Sequence, residues 1–328
     1  MLKEQVLNTI KKYNLISEND KIICGVSGGP DSICMLDILK DLTEKIRFEI
    51  IVCHVNHLIR EEAISDEEYV VNYCKKNKIK CYVKRIDVKN YANNNKQGTE
   101  EAGRTVRYKF FDEILKKENA NKIAIAHNKN DKIETIIMNM LRGSGVSGLR
   151  GIEPKRNNKY IRPLIEIQRA QIEEYCLENN LEPRIDKTNF INDCTRNKIR
   201  NIVIPYIKKE FNPNIINTID RLSSVIEEED KYLEKVTKES FDRLKIKEEK
   251  GLIILNLKEF NKQDRVIKKR LIIYTINKTI GNVQNIEKVN IDDIIKLCDK
   301  NIGNKYLMPN KNIKILVNKN QIFFEAKY

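Results

Sequence analysis

A chain of 328 residues is long enough for one large domain and a smaller one, with ample core. Hydrophobic residues make up 41% and charged residues 33%, and no apolar run approaches the roughly 20 residues needed to span a bilayer, which excludes a helical membrane protein. The formal net charge of +14 invites a nucleic-acid partner, but this chain is rich in Lys, Asn and Ile throughout, so charge alone only tilts the reading toward RNA. Aromatic residues are too few for extensive base stacking.

The N-terminus Met1-Leu2-Lys3-Glu4-Gln5-Val6 carries an acidic residue and no long apolar stretch, so a secretory signal is not expected and a cytoplasmic location is. None of the eight cysteines stands in a C-x-x-C pair, and several sit inside apolar runs. Buried reduced thiols are therefore expected, not disulfides or a metal cluster.

In chain order, Lys21 to Val26 reads as a buried strand, followed by a helix from Asp31 to Lys45. Phe48 to Val55 is a second strand, with an acidic helix from Ser65 to Lys76 behind it. Lys80 to Val88 is a third, and a helix from about Thr99 to Lys117 follows. Lys122 to His127 is a fourth, with a helix from about Asp131 to Leu141. This alternation predicts βαβ units: an α/β fold with a parallel sheet and helices on both faces. Ligands of such sheets sit beyond the carboxyl ends of the strands. The Asn-rich stretch Asn90 to Gly98 reads as a mobile loop, and Gly143 to Gly151 as a glycine-rich segment near the site. After Asn212-Pro213 a long amphipathic helix runs from Ile215 to about Leu244, then two further helical stretches and a closing hairpin, Asn312 to Val317 with Gln321 to Glu325. A domain boundary near Pro213 is expected: residues 1–213 catalytic, and 214–328 a smaller, mostly helical C-terminal domain.

The chemistry concentrates where the first strand hands over to its helix, at Val26-Ser27-Gly28-Gly29-Pro30-Asp31-Ser32. Two glycines allow a tight turn and close approach to an anion, the helix N-terminus offers free N–H groups, and Ser27 and Ser32 add hydroxyls. The string fits neither the Walker pattern nor a dinucleotide fingerprint. An S-G-G turn can also be purely structural. The full S-G-G-x-D-S string straight after a buried strand favours a phosphate cradle.

That string resembles the pyrophosphate loop of the ATP pyrophosphatase (PP-loop) superfamily, a Rossmann-like fold. The flanking segments narrow the resemblance to the tRNA(Ile)-lysidine synthase family. His54-Val55-Asn56-His57 with Leu58-Ile59-Arg60 is similar to its H-V-N-H-x-L-R segment, continued by Ser65-Asp66. Glu101 to Tyr108 resembles its E-A-A-R-x-x-R-Y helix, and Leu141-Arg142-Gly143-Ser144-Gly145 with Gly148-Leu149 its R-G-x-G-x-x-G-L loop. Arg162-Pro163-Leu164 and Thr195-Arg196-Asn197-Lys198-Ile199-Arg200 match two later segments. The likeness covers about residues 15 to 210 and weakens beyond.

The resemblance implies ATP-dependent adenylation of the first anticodon cytidine (CAU) of an isoleucine tRNA at O2, then attack by the amine of free L-lysine, releasing AMP and pyrophosphate. ATP and Mg2+ are the implied cofactors, and a homodimer is compatible with it. The implied ATP and pyrophosphate contacts are Ser27, Gly28, Gly29, Pro30, Asp31, Ser32, His54, His57, Arg104, His127 and Gly143. Asp31 is the expected magnesium ligand, its alternative role being to serve the helix dipole. Arg107 is expected to be catalytic, and Asp131 with Glu134 to bind and activate lysine, although such residues also simply decorate a first helical turn. Arg142, Arg162, Arg196 and Arg200 are expected at tRNA or substrate, and Lys155, Arg156, Lys159 and Arg162 form a basic stretch suited to RNA phosphates, with a solvated face as the plain alternative. His54 and His57 read as site-lining, not metal-binding. The C-terminal region should help dock the tRNA. The chain departs from the family's H-H-x-D-D-Q-x-E-T at His127-Asn128-Lys129-Asn130-Asp131-Lys132-Ile133-Glu134-Thr135: asparagines replace a histidine and an aspartate, and Lys132 a glutamine. A sulfur-transferase of the same superfamily would need C-x-x-C pairs, which are absent; an amidating synthetase and an inactive tRNA-binding protein are the other rivals.

Overall fold

The computed structural model describes residues 1–58, 63–184, 191–301 and 305–327, so Arg60 lies outside the described residues. The chain forms two compact units, Met1–Ser224 and Val225–Tyr328, dividing eleven residues beyond Pro213.

The first unit opens with α1 (Leu2–Lys12), then β1 (Lys21–Gly25), α2 (Pro30–Ile46), β2 (Glu49–Asn56), α3 (Ala63–Lys76) and β3 (Lys80–Arg85). It continues through α4 (Val88–Asn95), α5 (Thr99–Lys117), β4 (Lys122–Ile125), α6 (Lys129–Leu141), β5 (Lys155–Arg156), β6 (Tyr160–Ile161) and α7 (Arg169–Glu178). Two short helices, α8 (Thr195–Lys198) and α9 (Ile204–Glu210), precede α10 (Ile215–Leu244). The sheet order is β3-β2-β1-β4-β6-β5, parallel except for the β5–β6 pair.

Period-two burial explains the two helical layers. Ile22, Cys24 and Val52 pack into a core with Ile33, Leu36 and Leu39 of α2 and Cys176 of α7. The alternate residues Ile23, Ile51 and Cys53 pack against Phe110, Phe111 and Ile114 of α5 on the other face. Gly25 lets α5 come close, since a Cβ there would meet Phe111 Cζ at 2.6 Å. The sheet builds from β1 toward β2 and β3, then returns to add β4 on the opposite side of β1. That reversal places a crevice beyond the carboxyl ends of β1 and β4, where ligands of open α/β sheets bind.

The stretch expected as a mobile loop, Asn90 to Gly98, is instead largely α4. Asp87 caps it by accepting from Asn90 N at 3.0 Å, and Val88 and Ala92 bury against Ala102 of α5. A cap and two apolar anchors outweigh the poor helix propensity of asparagine.

The second unit holds β7 (Lys245–Glu249), β8 (Leu252–Asn256), α11 (Leu257–Asn261), α12 (Arg265–Ile280), α13 (Lys288–Lys300), β9 (Lys305–Asn310), β10 (Ile313–Asn318) and β11 (Gln321–Ala326). The expected closing hairpin is β10–β11, and it belongs to a five-stranded antiparallel sheet, β7-β8-β11-β10-β9. Ile313, Ile315 and Val317 alternate inward to pack with Phe324, Leu271, Ile294 and Cys298. Helices alone do not describe this unit: the sheet supplies one side of its core.

Candidate active site

At the end of β1 the chain turns through Gly28, whose φ of +94° favours glycine, and enters α2 with Gly29 as its N-cap and Pro30 in the first turn. Ser32 Oγ donates to the Gly29 carbonyl at 2.9 Å and accepts from Ser27 N at 3.2 Å, so the second serine holds the loop shut on itself. Arg184 N donates to the Gly28 carbonyl at 2.9 Å. Ser27 is exposed and Gly28 and Ser32 are buried, leaving a cradle of N–H and hydroxyl donors at a helix N-terminus.

Asp31 stands in the first turn of α2. Burial, then the neighbouring Asp131 carboxylate, push its carboxyl up to about 6. Asn128, the N-cap of α6, donates from Nδ2 to Asp31 Oδ1 at 2.8 Å and accepts from Asp131 N on its own Oδ1 at 3.0 Å. Asp131 Oδ2 returns the bond by accepting from Asn128 N at 3.0 Å, completing a capping box.

One turn on, Glu134 is 1% exposed and fully engaged. Arg200 donates from Nε to Oε1 at 2.7 Å and from Nη2 to Oε2 at 2.8 Å, while Arg196 Nε reaches Oε2 at 2.8 Å. Asp131 Oδ1 takes longer contacts from Arg196, Arg200 and Arg169, at 3.0, 3.3 and 3.4 Å. Arg196 and Arg200 lie one turn apart on a helical stretch that widens to a π turn at Ile199–Val203, just before Pro205. A proline cannot donate to the preceding turn, which accounts for the widening.

Beyond the end of β4, Arg162 Nε donates to His127 Nδ1 at 3.1 Å. Burial, then Arg162 and other arginines, push the imidazole down to about 3, so it is neutral. A concavity of about 330 Å³ opens beside it, lined by Arg104, Arg150, Arg156, Arg162 and Arg196, with Glu153 among them. Arg107 keeps an exposed surface on α5, although the mass of protein around it lowers its own basicity; burial of the His57 ring, then the Arg107 charge, push that imidazole down to about 4. His54 shares a 2.9 Å hydrogen bond from Nδ1 to the Val26 carbonyl, immediately before the cradle.

The structure thus gathers Ser27 to Ser32, Asp31, Asp131, Glu134, His127, Arg162, Arg196 and Arg200 around the β1/β4 crevice. Arg196 and Arg200, expected at tRNA or substrate, direct their guanidiniums to Glu134 and Asp131. Arg142 and Gly143 lie exposed after α6. Of the basic stretch, Lys159 pairs with Asp112 at 2.7 Å, whereas Arg156 and Arg162 reach the concavity. Sequence reasoning missed Arg150, Glu153 and Arg169. Arg169 follows a Gln168 cap at the start of α7, and no motif marks it.

A family model described as a PP-loop domain matches residues 2–207. A tRNA(Ile)-lysidine synthase from Clostridium acetobutylicum is 45% identical over 323 residues, 98% of this chain and 69% of that protein. One from Clostridioides difficile is 42% identical over 98% of this chain and 70% of its own length. The chain belongs to the tRNA(Ile)-lysidine synthase family. Among solved structures, the U34-tRNA thiolase NcsA from Methanococcus maripaludis, with its [4Fe-4S] cluster, aligns with a TM-score of 0.56 at 21% identity, over 69% of this chain and 78% of that one, a likeness of fold.

Within the tRNA(Ile)-lysidine synthase family pattern, each departure of this chain has a structural job. Asn128 caps α6 and bridges to Asp31. Asn130 Oδ1 accepts from Arg169 N at 3.0 Å, which ties α7 to α6. Lys132 is 9% exposed and pairs with Asp220 at 2.9 Å, and Lys129 joins the same carboxylate at 3.1 Å. Among the described residues, no three His, Cys, Asp or Glu side chains converge on a metal-sized point. A magnesium ion that keeps its waters and rides on substrate phosphates needs only one or two carboxylates. Asp31, in the first turn of α2 beside the cradle and next to the Asp131 carboxylate, fits that demand.

Proposed function

We propose that the chain carries out ATP-dependent lysidine formation on an isoleucine tRNA with a CAU anticodon. The observation that carries the reading is a phosphate cradle and an arginine-lined concavity opening at the same sheet crevice. Both lie beyond the carboxyl ends of the adjacent parallel strands β1 and β4.

In this reading the backbone N–H groups left open in the loop after β1, with the exposed Ser27 hydroxyl, take the pyrophosphate end of ATP, where charge develops as it departs, while Ser32 holds the loop in shape. Asp31 would hold magnesium, which supplies charge neutralisation of the phosphates. The target cytidine enters the concavity, whose arginines grip the flanking phosphates, and its O2 attacks the α-phosphorus to give an adenylate. The ε-amine of lysine then adds at C2, gives up a proton to a carboxylate, and AMP leaves with the former O2. Asp131 is the better partner for that amine, because its contacts to arginine are the longer ones, 3.0 to 3.4 Å. Glu134, bonded at 2.7 to 2.8 Å by two arginines, anchors the group.

The test is transfer of labelled lysine to purified isoleucine tRNA with a CAU anticodon, with ATP and magnesium and with methionine tRNA as control. The expected outcome is lysine on the isoleucine tRNA alone, with one AMP released per lysine. Tight tRNA binding without transfer would overturn the reading. The same preparation reports whether lysine, magnesium or a second protomer is required. No described helix is long and apolar enough to cross a membrane, and a cytoplasmic site of action follows from the tRNA substrate.

A further inference from the structure

We propose that Asn128 is a positioning residue for Asp31, locking that carboxylate toward the phosphate cradle and tying its position to the start of α6. The inference rests on the ATP reading above and concerns a position where this chain departs from its family's histidine.

Three observations carry it. Asn128 is fully buried, so its amide has no water to satisfy it and its two polar ends are committed. One end, Nδ2, donates to Asp31 Oδ1 at 2.8 Å. The other, Oδ1, accepts from Asp131 N at 3.0 Å and caps α6. A single planar amide therefore spans the loop after β1 and the helix after β4, the two elements that form the crevice. A hydrogen bond to a charged acceptor is stronger than one between neutral groups and fixes the rotamer of the acceptor. Asparagine brings no charge of its own, so it orients Asp31 without competing with a cation for it. A histidine ring N–H in that place can make the same donation, which explains how the exchange is accommodated.

The cap and the bridge can be separated. Serine is as good an N-cap as asparagine, but its hydroxyl is too short to cap α6 and reach Asp31 together. Asn128→Ser is thus expected to melt within a few degrees of the parent while its Kd for magnesium–ATP rises about tenfold, the weight of a hydrogen bond to a charged group. Binding is read by calorimetry on the whole chain, with and without magnesium. In an Asp31→Asn background the same serine should add little further loss, because Asn128 acts through Asp31. Asn128→His should restore most of the affinity. Unchanged magnesium–ATP binding in Asn128→Ser, or a full additional loss in the Asp31→Asn background, overturns the inference. Failure of the parent chain to bind magnesium–ATP at all overturns the ATP reading instead, so the two failures are distinguishable.

Discussion

Arg200 closes on Glu134 in a two-point grip, Nε to Oε1 at 2.7 Å and Nη2 to Oε2 at 2.8 Å. Such a buried pair is not a free gain in stability, because both charges lose water. Its consequence is dependence: removing one partner strands the other. Glu134→Ala leaves Arg196 and Arg200 with Asp131 alone and should cost about 2 to 4 kcal/mol, short of the largest such losses because both guanidiniums keep some water. Urea unfolding at neutral pH measures this, and a loss under about 1 kcal/mol would show that the cage is not structurally coupled.

The cradle depends on backbone shape before chemistry. Gly28→Ala meets only ordinary contacts, the nearest being Val70 Cγ2 at 3.5 Å, so its cost is the left-handed backbone, about 1 to 2 kcal/mol. ATP affinity should fall with it, since relaxation of φ moves the N–H groups. Ser32→Ala, which removes the bonds to Gly29 and Ser27, should weaken ATP with less effect on stability. Paired urea melts and nucleotide titrations test both.

The arginine-lined concavity makes a salt-dependent prediction. Arg156→Ala and Arg104→Ala should each weaken tRNA binding and reduce the slope of log affinity against log salt by about one, if each neutralises one phosphate. Binding measured across a salt series decides it; an unchanged slope would assign these side chains to stacking on Tyr160 and Tyr108, which they already approach at 4.8 and 5.1 Å.

Acid should unfold the protein partly through its histidines. Burial, then Arg107, depress His57 to about 4, below its ordinary 6.5. The unfolded chain therefore takes up the proton first, and stability is lost as pH falls from about 6.5 to 4. His127, depressed to about 3, extends the loss further down. His57→Asn should flatten the upper part of this dependence, as read by urea midpoints at pH 7, 6 and 5. A parent chain equally stable at pH 7 and 5 would contradict it.

Much of the first unit was legible in the residues alone. Strand-like runs alternating with helix-period stretches place β1 to β4 and their helices within a few residues, because each element buries one face and its pattern is local. The S-G-G-x-D-S loop was legible for the same reason: its glycines, serines and aspartate act within a single turn. The second unit was half legible. Its long helix and closing hairpin carry clear periods, but β7, Lys-Ile-Lys-Glu-Glu, is a charged edge strand without an apolar signal, and only pairing with β8 makes it a strand.

What the residues by themselves determined is the alternation of β1 to β4 with their helices, the long helix and closing hairpin of the second unit, and the chemistry of the loop after β1. What only the tertiary structure decided is which charges meet. Nothing local to Arg169, Arg196 or Arg200 indicates that they converge on Asp131 and Glu134, or that Asn128 reaches Asp31 across 97 positions. Those pairings arise because the sheet reverses direction at β1 and β4 and brings two distant helix starts to one crevice. There, burial leaves each charge no partner but the others.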